Sequence, residues 1–497
     1  MITARESVLG RVGVGCRLTV IGAACALVAA VSPVPTADAR PLVTGITYLD
    51  SYDSVTLQQT KAAGAQLVRI IVPWWIIAPS HEPSSWNPED PQDPSYDWAG
   101  TDLAVTRVVE AGFTPMLLLD GAPPWVQRCQ PPAAVPGALC DPDPAALAAF
   151  ATASARRYSG YFAGLPRVRY WQGLNEANLG IFFQPQFVQG KPVSPTLYRR
   201  LVNAFYFAVK SVNRSNLVLA AGLGPIAIPH WTIGPMRFTR ELLCMTGGRN
   251  PQPTSGNCGG GVHFDIFDIH PYTTGGPTHK GKVDDVQLGD LAKLKELLAA
   301  ADRAGRIKGR FRRTPLWNTE FSWDSKPPDP GGLPMRILTR WTAEALYRGW
   351  SAGISRFFWL SLRDFPPSLK LPFSETLESG LYFRGATVAE DRPKPNMYAF
   401  RFPFVAYSAK DGFTFWGRTP DSRGGPVLIQ IRQGGGWRNV AVARADRHGI
   451  FEGAVETAYG RNKRGTVRAR YRKETAIPFS LRPVKDFYQP PFGKPVG

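Results

Sequence analysis

The sequence predicts an α/β chain, a closed (β/α)8 TIM barrel followed by a small all-β sandwich, and three observations carry that prediction. From Leu42 onward, short apolar runs alternate with stretches of helical period, the pattern of repeated βα units around a parallel sheet. Eight such units can be counted before the pattern stops. Beyond Ala409 the text turns to short alternating segments divided by glycine-rich turns, as in an antiparallel sandwich. The 497 residues are too many for one core of ordinary size, and 44% hydrophobic with 11% aromatic residues is the composition of a folded chain.

Residues 1–39 precede the first unit. Arg5, Arg11 and Arg17 lead into an apolar run from Leu18 to Val31, then Ala37-Asp38-Ala39, a small-x-small triplet. This is the pattern of a secretory signal peptide cleaved after Ala39, with an uncleaved anchor as the alternative. The run is short for a membrane span, and no later stretch is long and apolar enough to be one, so the expected location is extracellular. Cysteine usage agrees. Outside the leader stand Cys129, Cys140, Cys244 and Cys258, and the short separations favour Cys129 with Cys140 and Cys244 with Cys258. A zinc site is the rival, but there is no C-x-x-C spacing and no histidine beside either pair.

The first unit is a strand, Gly45 to Leu49, and a helix, Ser54 to Ala65. The second strand, Leu67 to Val72, reads LVRIIV and is apolar, as in a strand covered on both faces, except for Arg69. A buried arginine needs a carboxylate or several carbonyls, which points Arg69 at an active-site acid. A long loop from Pro73 to Tyr96, a helix from Thr101 to Ala111 and a third strand from Pro115 to Leu119 follow. The loop Asp120 to Pro142 then leads to an alanine-rich helix, Pro144 to Tyr161. The fourth strand runs into WQGLNEAN, Trp171 to Asn178, delivering Asn175 and Glu176 at a strand's C-terminal end, where barrel enzymes keep their chemistry. Neighbours in a regular strand face opposite ways, so this pair shares one mouth only if the strand breaks or bulges there.

Next come a helix (Pro195 to Val212), a fifth strand (Leu217 to Gly222) and a short helix (Arg237 to Met245). The sixth strand, His263 to Ile269, ends in DIHPY, whose period of two sets Asp268, His270 and Tyr272 on one face. A helix from Leu288 to Ala304 precedes the seventh strand, TPLWNTEF, Thr314 to Phe321, with Glu320 at its end. The helix Pro334 to Ser351, the eighth strand Ile354 to Leu360 and a closing helix Asn396 to Val405 complete a barrel spanning residues 40–409. Residues 410–497 form the sandwich, with strands at Phe413 to Trp416, Pro426 to Ile431, Trp437 to Ala443 and Thr466 to Tyr471, and a proline-rich tail after Leu481.

Glu176 and Glu320 stand at strand ends three units apart, so a closed barrel turns both toward one mouth. Two carboxylates facing each other are the minimum for cleaving a glycosidic bond, one donating a proton and the other attacking the sugar. One must stay protonated while the other is ionised. Arg69 and Tyr272 are placed to keep Glu320 ionised.

These positions together resemble glycoside hydrolase clan A: Asn-Glu ending strand four, glutamate ending strand seven, arginine in strand two, H-x-Y after strand six and tryptophan in strand eight. YDWAGTD before the second helix and KPNMYAF after the eighth strand look most like the cellulase-type and xylosidase-type members, families 5 and 39. Family 5 members usually carry a histidine near the end of strand three, where LLLDGAPPW has Asp120. The resemblance spans Arg40 to Tyr407. It implies a secreted retaining glycosidase acting on an oligo- or polysaccharide, with Glu176 as acid/base, Glu320 as nucleophile and Asn175 on the sugar's 2-hydroxyl. It further implies that Tyr272 and Arg69 position the nucleophile, that His270 belongs to the substrate-binding set and that Trp359 is a stacking floor. The sandwich resembles β-modules appended to many secreted actinobacterial barrels.

No cofactor is expected. A metal-dependent hydrolase is disfavoured, because the six histidines include no H-x-H and the spacing of His263 and His270 would turn them opposite ways on one strand. The alternative function is a non-catalytic carbohydrate- or envelope-binding protein on a barrel scaffold, and the presence of both glutamates argues against it. Removing the leader takes away three arginines and two acids, so the net charge of +19 becomes +18. Residues 410–497 hold 17 Lys+Arg against 7 Asp+Glu, more than half of that excess. The expected partners are the carbohydrate substrate and, electrostatically, an anionic cell envelope, with no specific nucleic acid.

Overall fold

The computed structural model describes residues 40–492, apart from 134, 249, 255–257, 259, 370–376 and 458–463. The leader expected at 1–39 lies outside the described residues. Among them, no helix is long and apolar enough to cross a membrane.

Eight parallel strands close into a barrel in chain order: β1 Val43–Tyr48, β2 Leu67–Pro73, β3 Thr114–Asp120, β4 Tyr170–Gly173, β5 Leu217–Leu223, β6 Ile266–Ile269, β7 Leu316–Asn318 and β8 Ile354–Ser361. Closure is made by β1 pairing β2 on one side and β8 on the other, with Ile46 opposite Trp359. Around the barrel lie α1 Ser54–Ala62, α2 Ala99–Glu110, α3 Pro144–Arg157, α4 Ser194–Val212, α5 Pro235–Leu242, α6 Leu291–Arg303 and α7 Met335–Ala352. Local sequence sets their ends. Asp143 caps α3 by accepting from Ala145 N–H while Pro144 fills the first turn, and α7 stops at Gly353, whose φ of 111° is costly for other residues.

The barrel interior is divided. Its lower part is an apolar plug that includes Leu67, Met116, Leu219, Ile266, Trp317 and Phe358. Above the plug, toward the C-terminal ends of the strands, the inward positions become polar, and this deck carries the site described below.

The closing helix, α8, is Pro395–Arg401, shorter than the expected Asn396 to Val405. Proline at position 403 lacks the N–H that a helix would need and disfavours helical backbone at Phe402. Phe404–Ala409 is instead a strand, β9, and the C-terminal all-β part begins there. It continues as β10 Gly412–Arg418, β11 Gly425–Gln433, β12 Gly436–Ala445, β13 Ile450–Glu456 and β14 Thr466–Tyr471. β9, β10 and β13 form one antiparallel sheet, and β12, β11 and β14 form the body of the other. Alternate residues point inward, so Val427, Ile429 and Ile431 are buried with Val467, Ala469 and Tyr471.

Arg418, at the end of β10, joins the two parts. It is fully buried and donates to Leu42 O and Thr44 Oγ1 at 3.0 Å and to Phe400 O and Arg401 O at 3.3 Å. Burial, with the charge of Arg401, pushes its guanidinium down to about 10. Its partners are oxygens at the start of the barrel's first strand and at the C-terminal end of α8. Arg418→Met therefore leaves several buried acceptors without a donor, and the expected loss is about 3 kcal/mol of stability, read as a lower thermal unfolding midpoint.

Both cysteine pairs are disulfide-bonded as the spacing favours, with Cα separations of 5.2 Å for Cys129–Cys140 and 6.2 Å for Cys244–Cys258. The proline-rich tail does not trail away from the sandwich. Residues 486–492 cross back over the barrel mouth: Asp486 accepts from Gly276 N–H at 2.5 Å and pairs with His279 at 2.7 Å. Gln489 donates to Thr274 O at 2.9 Å and Gly331 O at 2.6 Å, and Pro491 O accepts from Asp324 N–H at 2.9 Å.

Candidate active site

The motif at the end of β4 meets the geometric demand set by its sequence. β4 stops at Gly173, and Leu174 (φ 68°) and Glu176 (φ 43°) both adopt left-handed backbone, which non-glycine residues rarely do. This break turns Asn175 and Glu176 into the same mouth, where both line the cleft. Three contacts hold the turn: Leu174 N–H donates to Leu119 O at 2.9 Å, Asn175 N–H to Asp120 Oδ1 at 3.1 Å and Glu176 N–H to Gly222 O at 3.1 Å. Gly222 must be glycine on two counts. Its φ is +61°, and a Cβ there would stand 2.6 Å from Gln172 Nε2. Asn178, the last residue of the motif, bridges to the loop after β5 through Gly224 and Ile233.

Glu320 lies two residues beyond β7 and is held from two sides. Arg69 Nη1 donates to its Oε1 at 2.5 Å and Tyr272 Oη to its Oε2 at 3.2 Å. Arg69 is fully buried, and its other donors reach Gln172 Oε1 at 3.2 Å and Asn175 Oδ1 at 2.9 Å. The guanidinium thus ties β2, β4 and Glu320 together, which explains its place in an otherwise apolar strand. Burial and the neighbouring carboxylates push the Tyr272 hydroxyl well above its usual range, so it remains a donor.

Glu176 is held differently. Its Oε1 lies 2.9 Å from His270 Nδ1, and on the other side His270 Nε2 is 3.0 Å from Thr319 Oγ1. Thr319 has one hydroxyl proton and donates it to Asp268 Oδ2 at 2.5 Å, so its oxygen is left to accept from His270. His270 Nε2 is then a donor, and its Nδ1 faces Glu176. Burial opposes a charge on the ring, but Glu320 and the bonds to Asp268 and Glu176 outweigh it and push the imidazole up to about 10. For Glu176 the largest influence is burial, which raises its carboxyl above the usual range against the pull of His270. The two acids therefore have different partners: Glu320 is clamped by a guanidinium, and Glu176 faces the imidazole of His270.

Ligating atoms of Glu176, His270 and Glu320 all lie within 4.8 Å of one another, a spacing that would also suit a metal. The residues do not fit one. The Arg69 guanidinium already occupies Glu320 Oε1 and sets a fixed positive charge where a cation would have to bind. What the arrangement can do is deliver a proton from one carboxyl and electrons from another to opposite ends of one bond.

Two expected roles are corrected. Trp359 is fully buried and donates from Nε1 to Ser379 O at 2.7 Å, so it is no stacking floor. Side chains alternate along β8: Phe358 belongs to the interior plug, Trp359 points outward to Phe400 of α8, and Leu360 comes to the cleft. His270 is also without exposure and stands behind Glu176, so it positions the acid and does not touch a substrate. Other participants were not singled out by sequence. Gln172 links Arg69 to Asp268, Thr319 completes the His270 chain, and Tyr48 and Phe492 line the cleft. Gln172 carried the same signal as Arg69, a polar residue within an apolar strand.

No family model matches the chain, and no curated protein does. Solved structures do. The chain is similar to a monomeric β-xylosidase from Caulobacter crescentus CB15, at 17% identity over 80% of this chain and 74% of that one, with a TM-score of 0.52. It is similar to a family 39 glycoside hydrolase from Bacteroides cellulosilyticus WH2, at 15% identity over 84% and 79%, with a TM-score of 0.50. A GH39 enzyme from Xanthomonas axonopodis pv. citri matches at 14% identity over 86% of this chain and 94% of that one, also with a TM-score of 0.50. At these identities the likeness establishes the barrel fold.

Proposed function

We propose that the protein is a retaining glycoside hydrolase using Glu320 as nucleophile and Glu176 as acid and then base. The observation that carries this is the approach of the two carboxyl groups, whose nearest oxygens lie within 4.8 Å across the cleft. Inverting enzymes leave room for a water and hold their carboxyls about 6.5–9.5 Å apart, whereas retaining ones hold them at about 5–5.5 Å. Glu320 attacks the anomeric carbon as the glycosidic C–O bond breaks, and Glu176 gives its proton to the departing oxygen. Glu176, now ionised, takes a proton from water, whose oxygen displaces Glu320 from the sugar. Asn175, at the cleft beside both acids, is placed to accept or donate to a sugar hydroxyl. The barrel similarity to family 39 enzymes supports the reading by analogy of fold.

The test is product stereochemistry. Proton NMR of the first-formed hemiacetal from an aryl glycoside should show the substrate's own anomeric configuration, and initial inversion would sink the mechanism. Export and an electrostatic hold on an anionic envelope belong to the same proposal, supported by the leader-like residues 1–39, the disulfides and the basic C-terminal part. Fractionation should find the protein outside the cytoplasm and released from envelope by high salt; retention in the cytoplasm or salt-resistant binding counts against it.

A further inference from the structure

Among the described residues, the polar lining of the cleft of about 550 Å³ above Glu176 and Glu320 is concentrated at its base. There Tyr48, Asn175, Glu176, Tyr272 and Glu320 converge from the strand ends. The walls are of another kind. Four separate segments each turn an aliphatic or prolyl side chain inward: Ile181 after β4, Ile226 after β5, Leu377 after β8 and Pro491 from the returning tail. Thr232, Thr274 and Tyr488 are the polar residues among them. Apolar surface continues to the rim, where Trp231 is 44% and Tyr488 72% exposed. Apolar surface gathered at one opening marks a binding site for an apolar partner.

A second sugar lying against these walls would bring a hydroxyl on almost every carbon. Each one buried without a partner is costly: Phe182, Phe365 and Phe492 in the same walls offer rings on which a sugar face can stack, but neither they nor the aliphatic and prolyl side chains supply hydrogen bonds to the hydroxyls at its edge. An alkyl chain against the same walls loses nothing polar and gains burial along its length. We infer that the cleft takes a glycoside whose aglycone is a long apolar alcohol: one sugar seats on the polar base, and the alkyl chain lies along the walls as the leaving group. This rests on the glycosidase reading above and adds the chemical class of substrate to it.

The test has two stages on the full chain. A panel of activated aryl glycosides identifies the sugar and anomer that are turned over. The octyl glycoside, the methyl glycoside and a disaccharide, all of that sugar and anomer, are then compared by kcat/KM. The octyl glycoside should exceed each of the others by at least tenfold, and Trp231→Ala, a change at an exposed position, should shrink the octyl-to-methyl ratio at least threefold. If aryl glycosides are turned over but the octyl compound is no better than methyl, or the disaccharide is preferred, the inference is overturned while the glycosidase reading stands. An octyl preference that Trp231→Ala leaves intact overturns the assignment to this cleft. No turnover of any aryl glycoside overturns the underlying reading and the inference with it.

Discussion

Glu320→Gln is expected to lower turnover of an activated aryl glycoside by about four orders of magnitude or more, the scale on which removal of a nucleophile acts. The amide keeps the shape: its oxygen accepts from Arg69 and its NH2 donates to the Tyr272 oxygen, whose hydroxyl turns to accept, so the deck should remain folded and the loss should be chemical. What it lacks is the charge that attacks the anomeric carbon. Steady-state kinetics on the purified variant, with an unchanged circular dichroism spectrum, reads the effect. Turnover within tenfold of the parent would remove Glu320 from the nucleophile's role, and with it the double-displacement scheme.

The second large effect is at Glu176 and depends on the leaving group. For a poor leaving group, Glu176→Gln should cost about 10²–10⁴ in kcat/KM, the usual contribution of a general acid. For an aryl glycoside whose phenolate departs without help, kcat/KM should fall by less than tenfold, because this ratio reports only the step that breaks the glycosidic bond. The pH dependence follows from the same group. The acid works while protonated, so activity on the poor leaving group is present below the Glu176 pKa and lost as pH rises through it. Burial raises that pKa, so the alkaline limb should lie above 4.5, and the glutamine variant should lack it. An alkaline limb unchanged in the variant would assign the proton to another residue.

Much of this site was legible because it breaks local rules. Arg69 in an apolar strand, paired acids at strand ends and a polar face after β6 are each anomalous against the pattern around them, and each proved to belong to one hydrogen-bonded deck. The eight-unit repeat was legible for the opposite reason, since it follows the helical and strand periods closely. What failed to show was phase and distance. Which face of β8 points inward depends on how its register meets β1 and β7 at barrel closure, so the pattern could not tell that Leu360, and not Trp359, reaches the cleft. His270 and Tyr272 share a face as expected, yet one holds the acid and the other the nucleophile, because Thr319 and Asp268 draw His270 down into the deck. The returning tail carries no period at all. A proline-rich segment has only its distant partners to place it, and its hydrogen-bond partners named above lie 158 to 215 residues away in the chain.

That tail bears on when the protein becomes competent. A ribosome completes Glu176, Glu320 and all eight barrel strands well before it adds residues 486–492, and domains generally fold from the N-terminal side as they emerge. A nascent barrel would therefore hold both acids beside an open trough, with Tyr272 lacking the ring of Phe492 now 4.7 Å away. The rim of the cleft is completed only once residues 486–492 have been added, so its assembly follows that of the barrel.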